Sequence, residues 1–288
     1  AGKYLSPVSN EYVASIVPAD TQNASAPLSP SDNSQIADQN STSGVEEELP
    51  SNELIVEVPE STDIMQEASI DTEESDFSSE ISFGNSALKS AVASGDGAAL
   101  HEVARRYTEG LGIEKDLEQA AIWYERAANQ DYAPAQYMVA NFREKGVGTE
   151  RDLSIAASWY ERAADNGNVV SMHNLAVLYA TPNAISPEPN MNAAFAWFKK
   201  AAEHGVRDSQ VNLGIFYTKG VGTEVDLPEA YKWFTIAAKA GDSDAESKRD
   251  VIAEALRPDQ LEDAKTRIET WRPAEYVLAA NRAEPAAE

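Results

Sequence analysis

The sequence has no cysteine, few basic residues and no long apolar run. The absence of cysteine excludes disulfide bonds and thiolate chemistry. Only 23 Lys and Arg residues stand against 48 Asp and Glu, for a net charge of −25. This balance argues against nucleic acid or an anionic membrane surface as the main partner, because such binding depends on clustered cations. No stretch of about 18 apolar residues occurs, so the sequence predicts no membrane span.

Tryptophan is also absent from the first part of the chain, which carries most of the charge. Residues 1–85 hold 17 acidic residues and one basic residue, whereas residues 86–288 carry a net charge of −9. A segment of low hydrophobicity and high net charge cannot bury enough apolar surface to offset chain entropy. We therefore expect residues 1–85 to be a disordered acidic linker. The apolar residues 53–58 within it predict either a short strand or docking motif, or a solvated part of the linker.

A repeated pattern fills the second part of the chain. Four tryptophans are spaced by 36, 38 and 36 residues, and each is followed by an aromatic residue and, after two more residues, by an Ala-Ala pair. Self-similarity of this period indicates tandem repeats. The tryptophans are interpreted as packing between repeats, since large buried aromatics dominate core energetics, with a ligand-stacking ladder as the alternative. They are Trp123, Trp159, Trp197 and Trp233.

Each repeat predicts two α-helices. Apolar and small residues recur along one helical face from Leu117 to Ala128, as they do in the other second helices. In three repeats the first helix ends at a glycine, and a second glycine follows two residues later. A glycine just past a helix end adopts the left-handed conformation that costs other residues about 1–2 kcal/mol. These glycines are Gly110, Gly146 and Gly220.

The predicted fold is an all-α, right-handed α-α solenoid. We assign four repeats to residues 86–245, capping helices to 246–273 and a disordered tail to 274–288. Capping is expected because an open array must cover its last apolar face. In repeat three, residues 181–190 replace the paired glycines with a longer loop, which is either a functional insertion or a tolerated change.

The motifs Gly-x-Gly-x-x-x-Asp between helices and Ala-x-Trp-Tyr/Phe-x-x-Ala-Ala-x-x-Gly in the second helix resemble the Sel-one-like repeat, a relative of the tetratricopeptide repeat. A narrower resemblance lies in residues 172–179, 205–214, 231–234 and 248–250. These segments are similar to the periplasmic part of PodJ-type polar localisation factors of alphaproteobacteria.

The narrower resemblance implies a role and a location. PodJ-type factors place a cytoplasmic coiled-coil region and one membrane span before an acidic linker and repeats of this kind. The resemblance therefore implies a periplasmic scaffold of cell polarity, anchored in the inner membrane at the cell pole through its parent protein. Its implied partners are proteins and, as a second class, peptidoglycan; we expect a monomer. A periplasmic regulator that inhibits a sensor protein shares all these features.

The sequence predicts a binding protein without a cofactor or metal site. No catalytic triad, nucleophile motif or phosphate loop stands out, so an enzyme acting on cell-wall material is the minority reading. His101 and His173 occupy the same repeat position as Tyr137 and Val211. A position that accepts valine and tyrosine favours packing or a groove-facing role over metal ligation.

Polar residues of the first helices are the candidate binding set. In this architecture the first helix of each pair lines the concave surface, and side chains between its core positions face that surface or the neighbouring helix. Amide side chains offer both donors and acceptors, which suit a peptide backbone or a glycan. The alternative is that they are ordinary solvated or capping residues. The candidates are Arg105, Gln136, Asn141, His173, Asn174, Gln210 and Asn212.

Overall fold

The computed structural model describes residues 81–182, 188–275 and 278–281. Most of the acidic linker, with its apolar stretch at 53–58, lies outside these residues, as does the middle of the longer loop in repeat three. The expectations for those segments therefore stay predictions. Every regular element in the described ranges is an α-helix, and none of these helices is long and apolar enough to cross a membrane.

Helices alternate along the described chain in antiparallel pairs. Numbered in chain order, the helices are α1 (Ser86–Ala93), α2 (Gly97–Glu109), α3 (Leu117–Ala128), α4 (Ala133–Lys145), α5 (Leu153–Asp165), α6 (Val169–Ala180), α7 (Met191–Glu203), α8 (Arg207–Lys219), α9 (Leu227–Lys239), α10 (Ser243–Ala255), α11 (Pro258–Thr270) and α12 (Leu278–Asn281). The pairs α2–α3, α4–α5, α6–α7 and α8–α9 are the four repeats, and each helix packs mainly on its chain neighbours.

The first helices of repeats one, two and four end at glycines in the left-handed region, as the sequence predicts. Gly110, Gly146 and Gly220 have φ angles of 76°, 68° and 66°. The amide of each glycine donates to the carbonyl four residues earlier, which closes the last helical turn. Helix α6 of repeat three lacks this glycine and ends at Thr181 in extended conformation.

In repeats two and four, the second glycine of the turn sits against the preceding repeat. A Cβ atom on Gly148 would lie 1.9 Å from the carbonyl oxygen of Leu117, the first residue of α3. A Cβ on Gly222 would lie 2.2 Å from the carbonyl oxygen of Met191, the first residue of α7. Only glycine permits this approach of two backbones. Gly112 has the same place in repeat one, where a Cβ would meet nothing within 4 Å.

The four repeat tryptophans belong to the packing between helices. Trp123, Trp159 and Trp233 are buried, and Trp197 is half-buried among apolar residues of three neighbouring clusters. A cation lies over each ring, at 3.8–4.6 Å from the ring centre. In repeats one to three this cation is three residues after the tryptophan; in repeat four it is Lys232, since Ile236 takes that position. These positions confirm the core interpretation.

Both ends of the array extend further than the sequence predicts. Ile81 is buried in the core cluster and Phe83 packs edge-on against Tyr107, so residues 81–85 belong to the folded part and not to the linker. Helices α10 and α11 cover the last repeat, in the region predicted for capping helices. Residues 274–275 and 278–281, which we expected to be part of a disordered tail, make hydrogen bonds to the repeats.

Candidate functional site

Three of the candidate binding residues are inside the protein, and two of them are glutamines that join repeats. Gln136 is fully buried and Gln210 is 2 % exposed. Each donates its side-chain amide to the last turn of the preceding second helix, at 3.3 Å to the oxygen of Ala128 and 3.2 Å to that of Ala202. The structure thus corrects the expectation for both residues. They join successive repeats and offer no free surface to a ligand.

Gln136 is the better connected of the two glutamines. Its Oε1 accepts from Nδ2 of Asn166 at 2.9 Å, and its Nε2 also donates to Oδ1 of Asp131 at 3.3 Å. Arg162 donates to the same Asp131 oxygen at 3.1 Å. At the place of Asn166, the last repeat has Ala240, and Oε1 of Gln210 accordingly has no hydrogen-bond partner among the described residues.

His173 and Asn174 also connect repeats. Nδ1 of His173 lies 2.8 Å from the hydroxyl of Ser209 in the next first helix. Asn174 hydrogen-bonds the hydroxyl of Tyr160, which itself donates to Oε2 of Glu144 at 2.6 Å. Burial lowers the pKa of His173 because it penalises the charged imidazolium, so the ring is neutral at pH 7. The side chains of His173 and Asn174 are therefore engaged in contacts within the fold.

His101 has the same kind of role in repeat one. It meets the edges of Tyr124 and Tyr132 at ring-centre distances of 5.1 and 5.5 Å. Burial lowers its pKa to about 4, although the neighbouring carboxylate of Glu102 opposes that shift. Within the described ranges no group of three or more His, Cys, Asp or Glu side chains is arranged to hold a metal ion.

The remaining candidates differ in exposure. Arg105 is partly exposed and forms ion pairs with Glu102 and Glu109 at 2.8 and 2.9 Å. Asn141 is half-buried on α4. Asn212 is 2 % exposed, and its Nδ2 finds no hydrogen-bond partner in the described part of the chain. The structure therefore corrects the expectation for Asn212, whereas Arg105 and Asn141 reach the surface.

Arg105 and Asn141 belong to a row that the sequence analysis recognised only in part. They occupy one repeat position, which lies eight residues after the start of successive first helices and is partly exposed in each repeat. In the capping helix α10 this position is Val251, which is 67 % exposed. The row, called here the first-helix row, changes from polar to aliphatic along the array. It consists of Arg105, Asn141, Val177, Ile215 and Val251.

A second surface was not predicted at all: the C-terminal segment lies on the turns that link repeats. Trp271 stacks edge-on against Trp233 with ring centres 5.9 Å apart. Ala274 then donates its backbone N–H to the oxygen of Glu203 at 2.8 Å, and the oxygen of Glu275 lies 3.0 Å from Nδ1 of His204. The segment therefore runs back from repeat four across the turn that follows repeat three.

The same segment reaches the turn between repeats two and three. Nδ2 of Asn168 donates to the carbonyl of Ala280 at 2.6 Å. The side-chain amide of Asn281 accepts from the backbone N–H of Val169 at 2.8 Å and donates to the oxygen of Gly167 at 2.9 Å. Ala280 is 4 % exposed as a result. A tail rich in Ala, Glu and Pro gives no sequence signal of these contacts, which join residues more than 100 positions apart.

Comparison with known proteins agrees with this architecture. The Sel1 repeat family matches residues 97–132, 133–168, 169–206 and 207–242. Among solved structures, a Sel1 repeat protein from Oxalobacter formigenes is 32 % identical, with a TM-score of 0.52 over 58 % of this chain and 48 % of that one. No curated protein matches the chain.

A second solved structure is similar. It is c5321, a protective antigen of uropathogenic Escherichia coli with the same repeat fold, at 34 % identity and a TM-score of 0.51 over 55 % of this chain and 33 % of that one. The chain thus spans about half of the first relative and a third of the second. Sel1 repeats are typically non-enzymatic and generally mediate protein–protein interaction. With four matched repeats that coincide with four helix pairs, the chain belongs to the Sel1 repeat family.

Proposed function

We propose that this protein is a non-enzymatic scaffold that docks a protein partner on the first-helix row. The observation that carries the proposal is the change of chemistry along the row, from the cation and amide of Arg105 and Asn141 to the aliphatic side chains of Val177, Ile215 and Val251. Side chains of the same repeat position align along an array in which each repeat contacts only its neighbours. A partner segment with a polar end and an apolar end is complementary to such a row.

The aliphatic end favours a protein over a glycan. Val251 is the most exposed large hydrophobic residue in the described ranges. Val177 and Ile215 are only partly exposed and pack against core clusters, so Val251 is the exposed apolar residue of the row. Exposed apolar surface next to polar groups is a mark of protein interaction sites. Peptidoglycan is the second candidate, and it rests on the resemblance to polar localisation factors alone.

The same resemblance is the basis for the proposed setting. In this proposed setting, the repeats act as a monomer in the periplasm at a cell pole, as part of a longer protein that is anchored in the inner membrane. A periplasmic regulator that binds and inhibits a sensor protein would use the row in the same way. Protease accessibility of the full-length parent, before and after permeabilisation of the outer membrane, tests the location. Cleavage of the repeats without permeabilisation would contradict it. Protection that persists until the inner membrane is also lysed would contradict it as well.

Two valines allow a matched test of the row. Val251 and Val225 are 67 % and 60 % exposed, but Val225 lies in the loop before α9, off the row. Val251→Glu adds a charge to the apolar end, and Val225→Glu adds the same charge elsewhere. The immobilised chain and both variants are exposed to periplasmic extract and, separately, to isolated sacculi.

The proposal expects one or more proteins to be retained by the unaltered chain and by Val225→Glu, and to be lost with Val251→Glu. Binding of sacculi by the chain that neither substitution changes would indicate that the ligand is a glycan and that it binds away from the row. Equal retention of every protein by both variants would contradict docking on the row, and so would release of product from sacculi, which would indicate an enzyme.

A further inference from the structure

The turns that link the repeats form a second surface, separate from the first-helix row. We propose that the turns after repeats two and three, together with Trp233, are a peptide-binding strip that the chain's own C-terminal segment occupies. The occupant it fits in trans is a partner segment with an aromatic residue followed about ten positions later by an asparagine, the spacing of Trp271 and Asn281. The proposal does not depend on the function proposed for the row.

The strip recognises peptide chemistry and not mere bulk. Three of its contacts involve the backbone of the segment: the N–H of Ala274 and the carbonyls of Glu275 and Ala280. Contacts to main-chain groups give affinity with little dependence on the peptide's sequence. Leu278, by contrast, remains 47 % exposed, so the strip does not select an apolar side chain there.

Two side chains supply specificity. The ring of Trp271 meets the buried ring of Trp233 edge-on, a geometry that aromatic pairs prefer. The amide of Asn281 bridges the N–H of Val169 and the carbonyl of Gly167, and both of its polar atoms are used. An aspartate or glutamine would lose a donor or misplace it, so asparagine is the residue that this turn reads.

Asn168 has two roles that one substitution separates. Its Oδ1 accepts from the N–H of Ser171 and caps α6, while its Nδ2 donates to the carbonyl of Ala280. An aspartate keeps the acceptor for the cap but has no donor, and it places a carboxylate against that carbonyl. Asp242 caps α10 in the same way, with no C-terminal segment on its turn in the described structure. Asn168→Asp and Asp242→Asn are therefore a matched pair.

The test uses the full chain and a labelled synthetic peptide with the sequence of residues 270–281. In a release variant, Trp271→Ala and Asn281→Ala remove both specific side-chain contacts and so weaken the hold of the chain's own segment, while every residue of the strip is unchanged. Fluorescence anisotropy is expected to show the peptide binding at least tenfold more tightly to the release variant than to the unaltered chain. Adding Asn168→Asp to the release variant is expected to weaken binding at least fivefold, whereas adding Asp242→Asn leaves it unchanged.

Equal binding to the release variant and the unaltered chain would overturn the proposal, as would binding that Asn168→Asp does not weaken. A peptide with alanine for its asparagine serves as the control ligand. Should circular dichroism show the release variant unfolded, amide hydrogen exchange in the full-chain Asn168→Asp variant decides the matter. The Ala274 and Val169 amides are then expected to exchange faster while the Ser171 amide stays protected, and unchanged exchange at Ala274 and Val169 would refute the strip.

Discussion

Alanine at Gly148 is expected to destabilise the repeats more than alanine at Gly112. Both glycines have left-handed backbone, with φ of 62° and 74°, so both variants share the cost of about 1–2 kcal/mol for placing a Cβ in that region. Only at Gly148 would the new Cβ lie 1.9 Å from a backbone oxygen, that of Leu117. Relieving an overlap in a packed region typically costs a further 1–3 kcal/mol or so. The expected losses are therefore about 1 kcal/mol for Gly112→Ala and about 3 kcal/mol for Gly148→Ala.

The difference between the two variants is the informative quantity. Urea denaturation followed by circular dichroism gives a midpoint for each variant and for the unaltered chain. Because repeat arrays unfold in segments as well as globally, the midpoints are compared within one set of conditions and not converted to absolute stabilities. Equal shifts for the two variants would refute the reasoning, since backbone conformation alone would then account for both. A larger shift for Gly112→Ala would refute it as well.

Three further predictions concern the contacts between repeats. Burial lowers the pKa of His101 to about 4 from its ordinary 6.5, so between these pH values the unfolded chain binds a proton that the folded chain excludes. The free energy of unfolding is therefore expected to fall by up to about 3 kcal/mol as the pH falls from about 6.5 towards 4. Gln136→Met leaves the oxygen of Ala128 and the amide of Asn166 without their partner and is expected to cost about 1–3 kcal/mol, more than Gln210→Met. Trp123→Ala is expected to cost about 3–5 kcal/mol because the ring is 1 % exposed.

Each of these predictions has a comparison that isolates its cause. His101→Tyr, the residue of repeat two at that position, should flatten the pH dependence of the thermal midpoint between pH 7 and pH 4; an unchanged slope would assign it to carboxylates such as Glu102. Oε1 of Gln210 has no hydrogen-bond partner among the residues that the structure describes, so equal losses in chemical denaturation for both glutamine variants would contradict the role given to Asn166. For Trp123, a thermal midpoint like that of the unaltered chain would place the ring outside the core.

The repeats were predictable because one period controls both composition and packing. The spacing of the tryptophans gave the helix pairs, and the glycines marked the ends of α2, α4 and α8 at Gly110, Gly146 and Gly220. A left-handed helix end is a local property that residue type decides, so it can be read from sequence. The alignment of repeat positions likewise favoured packing or a groove-facing role for His101 and His173, and the structure places both rings against aromatic neighbours.

The candidate site was less predictable, because helical periodicity shows which residues share a face but not which face meets the neighbouring repeat. Gln136 and Gln210 are three residues after the start of their first helices, and Asn141 is eight. All three are polar, yet the glutamines reach carbonyls of the preceding repeat while Asn141 remains at the surface. Gln136 and Asn141 are five residues apart and so lie about 140° apart around α4, but the sequence did not show which of the two faces meets the preceding repeat. The contacts of Asn281 with Val169 and Gly167 could not be predicted, because the C-terminal segment and the repeats share no sequence pattern.

The seating of each glycine turn on the repeat before it gives the array a direction. The turn of Gly148 rests on the start of α3, and the turn of Gly222 rests on the start of α7, so repeats two and four each require a surface made by the repeat before them. During synthesis from the N-terminus, every repeat leaves the ribosome after its seat already exists. When the chain elongates at its C-terminal end, the surface on which a new glycine turn packs has therefore already been synthesised. Loss of an N-terminal repeat, by contrast, exposes the next glycine turn, as Gly112 is exposed in repeat one.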